Sequence, residues 1–72
     1  MSGRRVLTRQ IAPDARRRLI VGRDGVLVLG ERLRPVGAGR AWVVVGCHFV
    51  APAAVARCAD DVRAAWAARG AA

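Results

Sequence analysis

Lysine, tyrosine and asparagine are absent from the chain, which has one serine, one threonine, one histidine (His48) and two cysteines, Cys47 and Cys58. An active site needs a nucleophile, an acid or base, or a metal within reach of one another, and this inventory offers little for those roles. Because Cys47 and His48 are neighbours, in a strand their side chains point to opposite faces and do not form a nucleophile and base pair. Two cysteines and one histidine leave a zinc site one protein ligand short. We therefore predict that the protein is not an enzyme and has no catalytic residue, metal, cofactor or small-molecule substrate.

Long apolar segments are also missing. No stretch reaches the roughly 18 to 20 consecutive apolar residues of a membrane span, and the basic residues among positions 1–10 are not followed by the apolar segment of a signal peptide. The two cysteines are too few for a disulfide scaffold. These absences predict a cytoplasmic protein with no membrane partner, in which both thiols are free and packed in the core. A disulfide between Cys47 and Cys58 is the alternative.

Acidic residues are scarce: five are present against thirteen arginines, and the net charge is +8. The imbalance lies in the first forty residues, where ten arginines are opposed only by Asp14, Asp24 and Glu31. Solubility alone does not require the seven arginines found in the first 23 residues. This charge predicts a polyanionic partner such as nucleic acid, while a merely solvated charged surface is the alternative.

The apolar content is sufficient for a folded core. Hydrophobic residues make up 54% of the 72 residues, which excludes the class of disordered proteins and predicts one small basic domain over residues 1–72. A domain of this size buries only about 60% of its unfolded surface, so a second subunit often adds the burial that it lacks.

Two turn signals predict two hairpins. Asp24-Gly25 lies between the apolar runs 19–21 and 26–29 and predicts a two-residue type I′ loop, in whose register Arg18 pairs with Glu31. Gly37-Ala38-Gly39 predicts a second turn before a strand over residues 41–50, which are rich in β-branched and aromatic side chains.

The segment before the first hairpin allows two interpretations. Residues 4–11 alternate as a strand does, and Pro13-Asp14 is typical of a turn into the run of arginines 16–18. A short helix over residues 13–19 is the alternative, because proline favours the first helical position.

The C-terminal third predicts a helix that begins at Pro52 and ends near Gly70. Its apolar residues recur at helical spacing: Val55, Cys58, Ala59, Val62, Ala65 and Trp66. Trp66 is the predicted main anchor of the core. The predicted fold is α+β, an antiparallel meander of three to four strands with one C-terminal helix packed on one face, in the order β-β-β-β-α.

Trp42 is predicted to lie on the sheet face that the helix leaves bare. In a regular strand it shares that face with Val44, Gly46, His48 and Val50. An uncovered apolar face either packs on a second copy of the chain or provides a stacking platform for bases. Homodimer packing is the favoured interpretation, because one tryptophan is few for a stacking platform.

The predicted function is non-enzymatic binding of nucleic acid through phosphate contacts, with low sequence specificity. The arginines 16–18 are expected to face solvent. The candidate binding residues are Arg4, Arg5, Arg9, Arg16, Arg17, Arg18, Arg23, Arg32, Arg34, Arg40 and Trp42. The alternative is a small protein-protein interaction module that docks an acidic protein or a larger assembly through its apolar sheet face and basic rim.

Overall fold

A computed structural model describes residues 5–70 and confirms the α+β fold. Four antiparallel strands form one sheet in the order β1-β2-β3-β4, and a short helix follows them. The elements are β1 (Arg5–Ala12), β2 (Ala15–Gly22), β3 (Gly25–Val36), β4 (Gly39–Val50) and α1 (Asp60–Ala67). None of the helices in residues 5–70 is long and apolar enough to cross a membrane.

The segment before the first hairpin is a strand and not a helix. β1 turns at Pro13-Asp14 and pairs with β2, so that Leu7 lies opposite Leu19. The carbonyl oxygen of Asp14 accepts a hydrogen bond from the backbone N–H of Leu33 at 2.8 Å, which ties this turn to β3. Leu19 is buried in the core, while its neighbours Arg18 and Ile20 are half-buried on the opposite face, as the alternation of a strand places them.

The β2–β3 register differs from the predicted one by two residues. The loop is Arg23-Asp24, Gly22 pairs with Gly25, and Glu31 lies opposite Arg16 instead of Arg18. No non-glycine residue between 5 and 70 has a positive φ, so the loop is not the expected type I′ turn. A shift of two residues leaves every side chain on its predicted face, because strands alternate with a period of two.

A β-bulge at Val45 changes which residues of β4 face α1. Gly30 pairs with Gly46 while Glu31 pairs with Val44, so β4 holds one extra residue at this point. Val50 is therefore buried under the helical segment, and His48 and Gly46 lie on that same face. The prediction that they share a face with Trp42 is wrong, although Trp42 and Val44 do lie on the opposite face.

The core lies between one end of the sheet and the C-terminal segment. Its buried side chains come from β2, β3, β4 and the residues after the sheet: Leu19, Val21, Val26, Val28, Val50, Val55, Val62 and Ala65. The helix is not continuous, because a 3₁₀ helix (Pro52–Arg57) precedes α1 and another (Ala68–Gly70) follows it. Trp66 is only partly buried at the margin of this core, with its ring 3.8 Å from the guanidinium carbon of Arg69, so it is not the main anchor.

The two cysteines are free, as expected, but they do not meet in the core. Cys47 is exposed on the sheet face opposite α1, and Cys58 is half-buried with its thiol 3.4 Å from the carbonyl oxygen of Ala54. The prediction that both thiols pack in the core is wrong for Cys47, because the bulge places its side chain on the sheet face opposite α1.

The sheet extends well beyond the core. β3 and β4 have 12 residues each whereas β1 and β2 have 8, and β2 pairs with β3 only as far as Arg32. The outline measures 41 × 29 × 17 Å, and the radius of gyration is 13.5 Å. A compact domain of this length has a radius of gyration of about 11 Å. The excess reflects a two-stranded ribbon, residues 33–42, which we call the arm.

Candidate nucleic-acid interface

The arm is a pair of strands that has no third strand beside it within residues 5–70. Its cross-strand pairs run from Leu33 with Trp42 to Val36 with Gly39, and the turn lies at Gly37-Ala38. Four residues of strand and the turn give it a length of about 13 Å or slightly more, at about 3.3 Å per residue. Pro35 and Val36 near the tip are exposed.

Three arginines extend from the arm and its base. Arg34 and Arg40 are exposed on opposite faces of the ribbon, and Arg32, also exposed, shares the face of Arg34 where the arm meets the sheet. No carboxylate within residues 5–70 forms a salt bridge with any of the three. The arm is therefore a projection that carries uncompensated positive charge on both sides.

Two further arginines are bound to a buried carboxylate. Glu31 is 6% exposed, although it lies on the bare face of the sheet. Its Oε1 accepts a hydrogen bond from Nε of Arg16 at 2.6 Å, and its Oε2 is 3.6 Å from a guanidinium nitrogen of Arg18. The guanidinium of Arg16 also lies over the ring of Trp42, 4.1 Å from its centroid.

A second carboxylate, Asp61 in the first turn of α1, holds arginines on the other face. Its side chain is 8% exposed, with Oδ2 at 3.1 Å from Arg17 and 3.9 Å from Arg9. The backbone N–H of Val62 donates to Oδ1 at 2.9 Å. These contacts join the helix to β1 and β2, so Arg17 has a structural role, while Arg9 keeps a largely exposed side chain.

The remaining predicted arginines lie away from the arm. Arg23 is in the β2–β3 loop, at the opposite end of β3, and Arg5 donates a hydrogen bond to the carbonyl oxygen of Ala68 at 3.0 Å. Arg4 lies outside the described residues. The predicted binding residues thus separate into an arm group (Arg32, Arg34 and Arg40), a paired group and a distal group.

The pairing corrects the expectation that arginines 16–18 simply face solvent. All three are half-buried and contact Glu31 or Asp61. Trp42, at the base of the arm, is half-buried and has one ring face occupied by Arg16, so it is poorly placed as a stacking platform for bases. Of the predicted binding arginines, Arg32, Arg34 and Arg40 lie together, are exposed and form no salt bridge within residues 5–70.

The described residues offer no evident metal centre. No group of three or more histidine, cysteine, aspartate or glutamate side chains within residues 5–70 is close enough to hold a metal ion. Cys47 pairs with Leu29 and His48 with Val28, which places their side chains on opposite faces of β4. A groove of about 410 Å³ beside Gln10 is lined by Arg9 and Arg17, which already contact Asp61.

Comparisons with protein-family models, with curated proteins and with solved structures find no match to this chain.

The paired arginines and the arm arginines are expected to respond differently to substitution. Arg16→Gln leaves Oε1 of the buried Glu31 without its 2.6 Å partner, and we expect it to lower the free energy of unfolding by about 1 to 3 kcal/mol. Arg40→Gln removes the same charge from an exposed site and is the matched control, with an expected change within about 0.5 kcal/mol. Urea denaturation measures both. Equal stability of the two variants would contradict the structural role of Arg16.

Proposed function

We propose that the protein binds duplex DNA by inserting the arm into a groove, where its arginines contact backbone phosphates. The observation that carries this proposal is the arm itself, a protruding ribbon with Arg34 and Arg40 on opposite faces and no acidic residue between positions 32 and 50. A ribbon that enters a groove end-on faces a phosphate strand on either side. Arginines on both of its faces fit that arrangement.

The dimensions of the arm favour duplex DNA. The major groove of B-form DNA is about 12 Å wide and about 8.5 Å deep and admits a two-stranded β-ribbon. The arm is long enough to reach the floor of such a groove. The corresponding groove of A-form RNA is too deep and narrow for side chains to read, so duplex RNA is the poorer fit.

The chemistry of the arm supports weak sequence preference. Its charged groups are guanidiniums suited to phosphate, and its remaining residues near the tip are small or apolar, such as Pro35 and Val36. Contacts to phosphates position a protein on DNA but carry no sequence information directly. Arg9 on β1 is a further cation of the sheet, with a side chain that is 60% exposed.

A titration against salt tests the proposal. Fluorescence anisotropy of a labelled duplex of arbitrary sequence, measured between about 50 and 200 mM salt, is expected to show a steep loss of affinity, with a log–log slope near −3 or steeper. Duplex RNA of the same sequence is expected to bind more weakly. Lack of binding to DNA at low salt would contradict the proposal and favour the interaction module that docks an acidic protein.

We also propose a cytoplasmic location. Cys47 is an exposed free thiol and Cys58 is a half-buried one, which fits a reducing compartment.

A further inference from the structure

β4 is an edge strand of unusual composition. It pairs with β3 on one side and has no partner strand on the other within residues 5–70. Its side chains are exposed over most of its length, and they include Val43, Val44, Val45 and Phe49, the last 57% exposed. A long, exposed, apolar edge presents unpaired backbone N–H and C=O groups and is a surface on which another strand pairs.

The other edge of the sheet differs in charge. β1 also exposes apolar residues, but it carries Arg5 and Arg9, and charged side chains on an edge strand oppose pairing. Between residues 41 and 50, β4 contains no charged residue, although the chain as a whole carries a net charge of +8. The charged residues of β1 therefore oppose pairing with another strand at that edge, whereas residues 41–50 of β4 carry no charge that would oppose it.

We propose that β4 pairs with β4 of a second copy of this chain, in antiparallel orientation, to form a continuous eight-stranded sheet. Like charges directly opposite each other destabilise a strand pair, and β4 is the strand at which two strongly positive copies meet without opposing arginines. The bare sheet face that carries Trp42 is a poorer contact surface, because Arg16 and Arg18 surround Glu31 near its middle.

A second copy is the partner that symmetry favours. When a strand pairs antiparallel with itself, both subunits use the same surface, and the assembly closes as a two-fold dimer. Pairing of β4 with the β1 edge of another copy would use two different surfaces and would extend into an open filament. The arginines of β1 oppose that second arrangement.

The bulge locates the paired segment. A bulge at Val45 bends the strand, which leaves residues 46–50 as the regular stretch before Pro52. Cys47 lies within this stretch and is exposed on the outer face, so two copies bring their Cys47 side chains close to the two-fold axis. In antiparallel pairs, side chains directly opposite have Cβ atoms about 5 Å apart and diagonal neighbours about 7 to 8 Å apart.

Sedimentation equilibrium with two matched variants tests the dimer. The wild-type chain is expected to sediment at twice its 7.6 kDa mass at tens of micromolar. Cys47→Lys places two like charges at the axis and is expected to weaken dimerisation at least tenfold, whereas Thr8→Lys, at an exposed outer-face position of β1, is expected to leave it unchanged. A monomeric wild type, larger assemblies, or equal dimerisation of both variants would overturn the proposal.

Cross-linking tests the position of Cys47 at the dimer interface independently of the Cys47→Lys variant, which could fail to fold. In a Cys58→Ser variant, a short bismaleimide is expected to give a covalent dimer through Cys47, and in a Cys47→Ser variant it is expected to give none. The reverse result would overturn the β4 arrangement.

Dimerisation should also strengthen as the salt concentration rises, because two positive copies repel each other, whereas DNA binding should weaken. A failure of one proposal is thereby distinguishable from a failure of the other.

Discussion

Replacement of Arg32, Arg34 and Arg40 with glutamine is expected to lower the affinity for duplex DNA by about 100-fold or more near 0.1 M salt. Each phosphate contact contributes roughly 0.9 to the slope of log affinity against log salt, which at this concentration corresponds to nearly tenfold in affinity. The slope should therefore fall by about 3 in the triple variant. Because the three side chains are exposed and have no salt-bridge partner within residues 5–70, the fold should be unchanged.

The control for this variant removes the same charge elsewhere. Arg23, Arg57 and Arg63 are exposed and lie outside the arm, so their replacement with glutamine lowers the net charge by the same three units. If the position of the charge determines the affinity for duplex DNA, the control variant should lose much less affinity than the arm variant. An equal loss in both triple variants would show that net charge, not the arm, governs binding. Circular dichroism of both variants checks the fold.

Gly25→Ala is expected to be the most destabilising single substitution among the glycines described here. The backbone of Gly25 has a φ of +142°, which L side chains rarely adopt, and a Cβ at this position would lie 2.2 Å from the carbonyl oxygen of Val50 and 2.7 Å from Cζ of Phe49. The backbone strain costs about 1 to 3 kcal/mol, and the displacement of β4 has a similar cost. Together they are expected to lower the free energy of unfolding by about 2 to 5 kcal/mol. Small domains have only about 5 to 15 kcal/mol of stability, so this variant loses a large share of it.

Gly22→Ala is the matched control, because Gly22 lies directly opposite Gly25 in the β2–β3 register. A Cβ on Gly22 would have no atom within 4 Å, and alanine in a strand is slightly preferred to glycine. We expect the free energy of unfolding to change by less than about 1 kcal/mol. Thermal and urea denaturation measure both variants, and a Gly25→Ala protein as stable as the Gly22→Ala protein would refute the close approach of β3 and β4 at this point.

Local signals in the chain were sufficient to predict the fold. The alternation of apolar residues and the turn residues at Pro13-Asp14 and Gly37-Ala38 are signals that each depend on only a few neighbouring residues. The four predicted strands and a C-terminal helix are present, but the helix is shorter than predicted, because Pro52 begins a 3₁₀ helix and α1 covers only Asp60–Ala67. One error concerns the position of a turn. The β2–β3 loop lies one residue earlier than predicted, at Arg23-Asp24, which shifts the cross-strand pairing by two residues. Gly25 lies in β3 with a φ of +142° and is not part of the loop.

The candidate site was only partly predictable for a different reason. Charge counting included every arginine of the arm, but it gave equal weight to Arg16, Arg17 and Arg18, whose partners are distant in sequence. Asp61 is 44 residues from Arg17, and Glu31 is 15 residues from Arg16. The hairpin signal did predict that Arg18 meets Glu31, which the structure shows at 3.6 Å, but no short stretch of sequence indicates that Arg17 meets Asp61.

Three properties of the protein follow from the sequence alone, since they depend on composition and on neighbouring residues. They are the order and type of the secondary structure elements, the excess of arginine and the scarcity of catalytic side chains. Three other properties depend on contacts between residues that are distant in sequence. They are which arginines remain unpaired, how far β3 and β4 extend beyond β1 and β2, and on which face of the sheet each β4 side chain lies. A single extra residue at Val45 reverses the alternation of residues 46–50, and pairing across strands decides where such a bulge occurs. Tertiary structure therefore decides which positive charges and which apolar side chains a partner meets.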